Sequence, residues 1–358
     1  MKIITEDNVV KYFNSTLSRD TIINKFQATL LKGLVNYEKD PSNIVPPRTV
    51  QTSNTENSDT THLFMPCIAP NEVGIKLISG GPSNSKNGLG FQGCILVLDE
   101  YTGSLQGVLN AKSITAFRTA LASTIPLVKV LDPYDNNAHV SSISVFGVGL
   151  QAYWHIKLAL ILYQDQIHHV NIINRTLKNA QELANKLFME FPNVAFEAYS
   201  YSEEDQLASI KKQVSGSSII FGCSPSTDGV IKADYINQDP NMKKFISLIG
   251  SYKPHMIELD LDFIVPQYKE AASKPKILVD SKEHTLHEAG ELIQSGIHED
   301  QLIELTDFCN SQMDPREYTT ASNVVVSKLV GLSVMDLSIA KVIIEDIEDS
   351  QSITVADF

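Results

Sequence analysis

The chain has 358 residues, 43% hydrophobic and 20% charged, an ordinary globular composition that can bury a core without disulfide or metal staples. Lys plus Arg number 29 against 42 Asp plus Glu, a net charge of −13. This argues against a nucleic-acid binder, which needs a basic face to displace phosphate counterions.

Cys67, Cys94, Cys223 and Cys309 are widely spaced with no C-x-x-C pair, as expected of a reduced intracellular protein. No apolar run follows basic residues at the N-terminus, and the most apolar stretch, 154–163, is too short to span a bilayer. The chain reads as a soluble, cytoplasmic protein with no membrane partner. His168 and His169 point to opposite faces of a predicted strand, and His284 and His287 are helix neighbours with no further ligand cluster evident, so no metal is expected.

Ser18 caps a helix predicted over 18–35, with Ile22, Ile23, Phe26, Leu30 and Leu34 at helical spacing. The polar segment 49–61 reads as a surface loop. Strands are expected at 73–79 and 94–98. Between them GGPSNSKNGLG, residues 80–90, reads as a loop that no regular element tolerates. A turn at 101–103 leads into a strand at 105–109 and a helix over 111–125. Residues 131–138 are rich in turn formers and read as a linker.

Short apolar strands follow at 143–146, 170–173, 194–197, 218–221, 245–248 and 277–279. They alternate with helical patterns such as 151–163 and 177–191, the pattern of a parallel sheet covered on both faces. A last helix is expected over 321–347, beyond the sheet.

The strand at 143–146 runs into Gly147, Val148, Gly149, Leu150, Gln151 and Ala152, a G-x-G-x-x-A loop that opens a helix. The first glycine permits a tight turn and the second lets backbone approach a pyrophosphate. Ala152 lets helix pack on strand, and the helix N-terminus supplies N–H groups to phosphate. The next strand ends at Asn174, Arg175 and Thr176, with no carboxylate to repel a 2′-phosphate. This favours NADP(H), with NAD(H) the second choice; the competing reading makes Arg175 simply a solvated helix-start residue. Ser224 follows a later strand, at the sheet edge near the cofactor or in an ordinary turn.

Around this loop lie I-T-A-F-R-T-A (114–120), V-D-S (279–281), E-A-G-E (288–291), K-L-V-G (328–331), and Met335-Asp336 with Ala340. This ordered set resembles the ornithine cyclodeaminase/mu-crystallin family over about 46–343. Asn174-Arg175-Thr176 with Asn179-Ala180 is similar to the NADPH-using mu-crystallin branch. The resemblance implies an α/β fold: a Rossmann NAD(P)-binding domain, 129–319, and an α+β substrate-binding and dimerisation domain, 1–128 with 320–358. It also implies a homodimer with its active site between the domains.

It further implies that Arg48, Lys76 and Arg118 hold a substrate carboxylate and that Lys76 is the catalytic proton carrier. Arginine offers a planar fork to carboxylate, and a lysine beside two arginines has its pKa lowered. Read without the family, Arg48 is a loop residue and Arg118 a buried ion-pair partner. Tyr252 stands where cyclodeaminating members carry aspartate, and Asn110-Ala111 where many members have Asp-Gly. The expected activity is NAD(P)H-dependent reduction of a small cyclic imine (ketimine) carboxylate or related imino acid. The alternatives are an ornithine cyclodeaminase-type, NAD-dependent deaminase and an NADPH-gated small-molecule binding protein with little turnover.

Overall fold

A computed structural model describes residues 1–53, 58–135 and 140–356. Parts of the expected loop at 49–61 and linker at 131–138 lie outside these residues. The chain divides into two compact units, Met1–Arg118 with Gly331–Phe358, and Thr119–Val330.

The first unit contains strands β1 (Lys2–Ile4), β2 (Thr49–Thr52), β3 (Thr61–Ala69), β4 (Glu72–Gly80), β5 (Gln92–Leu98) and β6 (Leu105–Asn110). They form one sheet in the order Ile353–Thr354, β1, β6, β5, β4, β3, β2. The run from β2 to β6 is antiparallel throughout. The helix Ser333–Asp346 packs on β3, β4 and β5 and on the helix Ala28–Lys39.

Ser18 caps its helix as expected, its hydroxyl accepting the Thr21 amide at 3.1 Å. The helix passes through a π-helical turn, Ile22–Gln27, and continues beyond 35 to Lys39, because Tyr37 still packs into the core. Several expectations need correction. The ends of the segment 49–61 are strand, because its Thr and Val residues suit an edge pairing of β2 with β3. Pro66 lies inside β3 beyond the last β2 pair at Phe64, so the missing N–H interrupts no ladder on that side. The loop 80–90 holds a short helix, Pro82–Lys86, opened by a proline where no N–H is needed. The helix expected to stop at 125 runs from Ala111 to Val130 through Pro126. It is apolar around nearly its whole circumference and buried accordingly.

The second unit is built on strands β7 (Ser142–Phe146), β8 (His169–Asn174), β9 (Ala195–Ser200), β10 (Ile219–Gly222), β11 (Lys244–Leu248), β12 (Ile277–Val279), β13 (Leu302–Glu304) and β14 (Val324–Lys328). All pair parallel, in the order β13, β12, β14, β11, β10, β7, β8, β9. The helix expected over 321–347 is corrected here. Its first part is β14, inserted between β11 and β12, and only Ser333–Asp346 is helix. Val324, Val325 and Val326 are β-branched and fully buried, which suits a strand covered on both faces. Strand order reverses between β7 and β10, the crevice where such sheets bind ligands at their carboxyl ends.

Candidate functional site

In the second unit the glycine loop follows β7. Gly147 has φ +116°, and a Cβ there would lie 2.5 Å from the Cys223 carbonyl oxygen, so only glycine fits. Gly149 is the N-cap of the helix Leu150–Tyr163 and caps it with no side chain. A Cβ built at Gly149 meets no described atom within 4 Å, so Val148, Leu150 and the helix N-terminus border open space. Ala152 is fully buried, and Gln151 Oε1 is buried with no hydrogen-bond partner among the described residues. The open, N–H-rich helix start fits a phosphate-bearing group.

Asn174, Arg175 and Thr176 close β8, adjacent to β7. The Asn174 amide donates to the Thr176 carbonyl at 3.1 Å, and the Ser200 hydroxyl donates to the Arg175 carbonyl at 2.8 Å. The side chains of Arg175 and Thr176 are exposed. Ser224 lies just beyond β10, the other neighbour of β7, with its amide held by Glu258 at 2.7 Å. The cofactor residues expected from the sequence therefore gather at the carboxyl ends of three adjacent strands.

In the first unit, the alternation of β4 turns Lys76 to the buried face of the sheet, where the helix Ser333–Asp346 presents Asp336. Lys76 and Asp336 are fully buried and Arg118 is 5% exposed. Lys76 Nζ and Arg118 Nε both donate to Asp336 Oδ1 at 3.0 Å. Asp336 Oδ2 is buried with no hydrogen-bond partner among the described residues. Arg118 Nη1 also lies 3.6 Å from the Met335 sulfur. Arg48, half-buried just before β2, is close enough for its charge to be felt at Lys76.

Lys76 has its pKa lowered to about 8, first by burial, with Asp336 opposing and Arg118 and Arg48 adding to the shift. The two arginines are thus the smaller cause of the shift that the sequence reading assigned to them. Asp336 was visible in the sequence only as part of a resemblance. Its signal was a lone acid in the otherwise apolar run Val334-Met335-Asp336-Leu337. Among the described residues, no group of three or more His, Cys, Asp or Glu could hold a metal ion, and no helix is long and apolar enough to cross a membrane.

Among known proteins, an uncharacterized protein of Saccharomyces cerevisiae is 34% identical over 361 residues, covering 95% of each chain. The ketimine reductase mu-crystallin of Rattus norvegicus is 25% identical over 313 residues, covering 87% of this chain and 88% of its own. Among solved structures, the Thermococcus litoralis Delta(1)-pyrroline-2-carboxylate reductase in complex with NADH and L-proline superposes with a TM-score of 0.75 at 21% identity. It covers 99% of this chain and 100% of that one. Residues 7–351 match the ornithine cyclodeaminase/mu-crystallin family, and the chain belongs to it.

Proposed function

We propose that this protein is an NAD(P)H-dependent reductase acting on the C=N bond of a small cyclic imine that bears a carboxylate. The observation that carries this reading is the buried pair Lys76 and Arg118 sharing one oxygen of Asp336. Lys76 and Arg118 share the single carboxylate of Asp336, and the charge of Arg48 is felt at Lys76, so positive charge is in excess and the site suits an anionic substrate. Asp336 takes Arg118 Nε and the Met335 sulfur sits at Nη1, which leaves Nη2 as the guanidinium nitrogen offered to a substrate carboxylate. It also fixes Lys76 as an ammonium aimed from a dry position, suited to giving a proton to the imine nitrogen.

Gly147, Val148, Gly149, Leu150, Gln151 and Ala152 would hold the pyrophosphate of the dinucleotide, with Ser224 nearby. When bound, the dinucleotide supplies the hydride that joins the C=N carbon. The names of the rat and Thermococcus relatives support imine reduction. Tyr252 offers a phenol where a deaminase needs a carboxylate. The test is a panel of cyclic ketimine carboxylates with NADPH and NADH. Oxidation of cofactor with any of them supports the reading, whereas ammonia release from ornithine without net cofactor oxidation overturns it.

We assign Arg175 and Thr176 to the 2′-phosphate of NADPH, because both side chains are exposed beside Asn174 with no carboxylate in that segment. Arg175→Ala is expected to raise the Kd for NADPH about tenfold and leave that for NADH within about twofold. Equal effects on both cofactors would remove the assignment.

We further propose a homodimer. The outer face of the first unit's sheet is apolar and open, with Phe64 42% and Ile68 57% exposed. Leu77 and Val73 lie directly opposite these two residues, and Ile75 and Leu96 continue the patch. A second copy is the occupant that the family resemblance favours. Ile68→Glu is expected to halve the mass measured by light scattering; an unchanged mass would place the dimer contact elsewhere.

A further inference from the structure

The second unit holds another buried charged network, at the carboxyl ends of β10, β11 and β14. Glu258, Glu291 and Lys328 are all fully buried. Glu258 Oε1 accepts the Ser224 amide at 2.7 Å, and Oε2 accepts the amides of Gly250 at 2.6 Å and Ser251 at 3.2 Å. Glu291 accepts the Ser251 hydroxyl at 2.6 Å and the Glu258 amide at 2.7 Å. Lys328, the last residue of β14, donates to the Ser251 hydroxyl and stands 3.8 Å from Glu291. A Cβ at Gly250 would lie 2.6 Å from Glu258 Oε1 and 2.3 Å from the Ser224 carbonyl, so the backbone is shaped around this carboxylate.

Two carboxylates share one ammonium, an arrangement poorer in stability than an apolar core would be. What Glu258 achieves is specific. One side chain ties the loop after β10 to the loop after β11, through three backbone N–H groups that no other carboxylate receives. These loops carry Ser224 and Tyr252 and border the point of strand-order reversal, where the glycine loop also opens.

We propose that Glu258 is a positioning residue for the dinucleotide: its ionised carboxylate holds the loops at 223–225 and 249–252 in the conformation that receives the cofactor, so neutralising it weakens cofactor binding. This rests on the dinucleotide reading of the second unit. Protonated, the carboxyl must donate from one oxygen, and one of the three amides loses its acceptor. The groups facing Glu258 are Lys328 from β14, Glu291 from the helix Gly290–Ser295, and the Cys223 thiol beyond β10. Burial and Glu291 push Glu258 up to about 7 against Lys328 and the amides of Ser224 and Gly250. The carboxylate is therefore ionised above that pH and progressively lost below it.

The test is cofactor fluorescence titration of the full-length protein and Glu258→Gln with NADPH and NADH at pH 6 and 8. At pH 8 the variant's Kd is expected to be about tenfold that of the natural protein, the worth of one charge-assisted hydrogen bond. At pH 6 the ratio should approach one. The cofactor's own titration cancels in this ratio. A damaged fold would give the same ratio at both pH values. A constant ratio, or no difference, overturns the proposal. Should Glu258→Gln not fold, Glu291→Gln keeps the Glu258 carboxylate and removes its repulsive neighbour. The affinity transition of the natural protein should then move to lower pH, and an unmoved transition is the overturning result. Failure of the natural protein to bind either nucleotide at pH 8 overturns the dinucleotide reading itself.

Discussion

Asp336→Asn is expected to destabilise the protein by about 3–5 kcal/mol at pH 6 and by distinctly less at pH 9. In the natural chain one carboxylate oxygen accepts from both Lys76 and Arg118 at 3.0 Å, with all three residues buried. Asparagine keeps an acceptor there but removes the counter-charge, and places an N–H₂ group where Oδ2 has no partner among the described residues. Two adjacent buried cations are then uncompensated. Lys76 has the only escape, because arginine does not release its proton.

The sign of the pH effect follows from Lys76. Its folded pKa already lies at about 8, below the ordinary 10.5, and Asp336 is the chief influence holding it up. Without Asp336 it falls further. Stability rises with pH wherever the unfolded chain binds more protons than the folded one. That window opens at about 8 in the natural protein and lower in the variant. Between pH 6 and 9 the variant therefore regains more stability than the natural protein does, and the gap narrows. Urea unfolding at the two pH values measures it. A gap that is absent, or equal at both pH values, would show that Asp336 does not carry the charge balance of the site.

The same residues explain what was legible in the sequence. Strands β7, β8, β10 and β11 are parallel and buried on both faces, so they stand out as short apolar runs between helices. The G-x-G-x-x-A pattern of the glycine loop is likewise a local signal, although the atom that forbids a side chain at Gly147, the Cys223 carbonyl oxygen, comes from a distant segment. Lys76 and Arg118 were legible as unusual residues, one on the apolar phase of a strand and one in the middle of a helix whose other charges, Lys112 and Lys129, stand at its ends.

Their partner was not, because Asp336 meets Lys76 across 260 residues of chain and nothing near it in sequence requires a cation. For Arg118 the buried ion pair and the proposed binding role are compatible, since Asp336 takes Nε alone. Glu291 and Lys328 stood within the E-A-G-E and K-L-V-G motifs, but their meeting with Glu258 was hidden for a similar reason, since a helix, a strand and a loop bring the three together. The error over 321–347 came from length. An apolar strand and an apolar helix separated by only residues 329–332 read as one long helix, although the three successive valines and Gly331, at φ +85°, mark the break.

Lys76→Met is expected to lower kcat/KM for the imine about a thousandfold while leaving cofactor affinity and stability nearly unchanged. Methionine follows the path of the lysine stem and adds no buried charge. Asp336 keeps Arg118 as a one-to-one partner, so the fold has no reason to fail, in contrast to Asp336→Asn. What is lost is a proton donor. Reduction places hydride on carbon and a proton on nitrogen, and the Lys76 ammonium is the buried group suited to give that proton before taking another from solvent.

The ammonium is present below about pH 8 and lost above it. With cofactor saturating at every pH, the natural enzyme should therefore show a level kcat/KM at lower pH and a tenfold fall per unit above about 8. Lys76→Arg stays charged throughout the accessible range. It should be slower, yet free of that falling limb, and the substrate's own titration is common to both enzymes and cancels in their ratio. If Lys76→Met retains activity within about tenfold, or if the falling limb persists in Lys76→Arg, the proton comes from elsewhere and Lys76 is left as a carboxylate ligand alone.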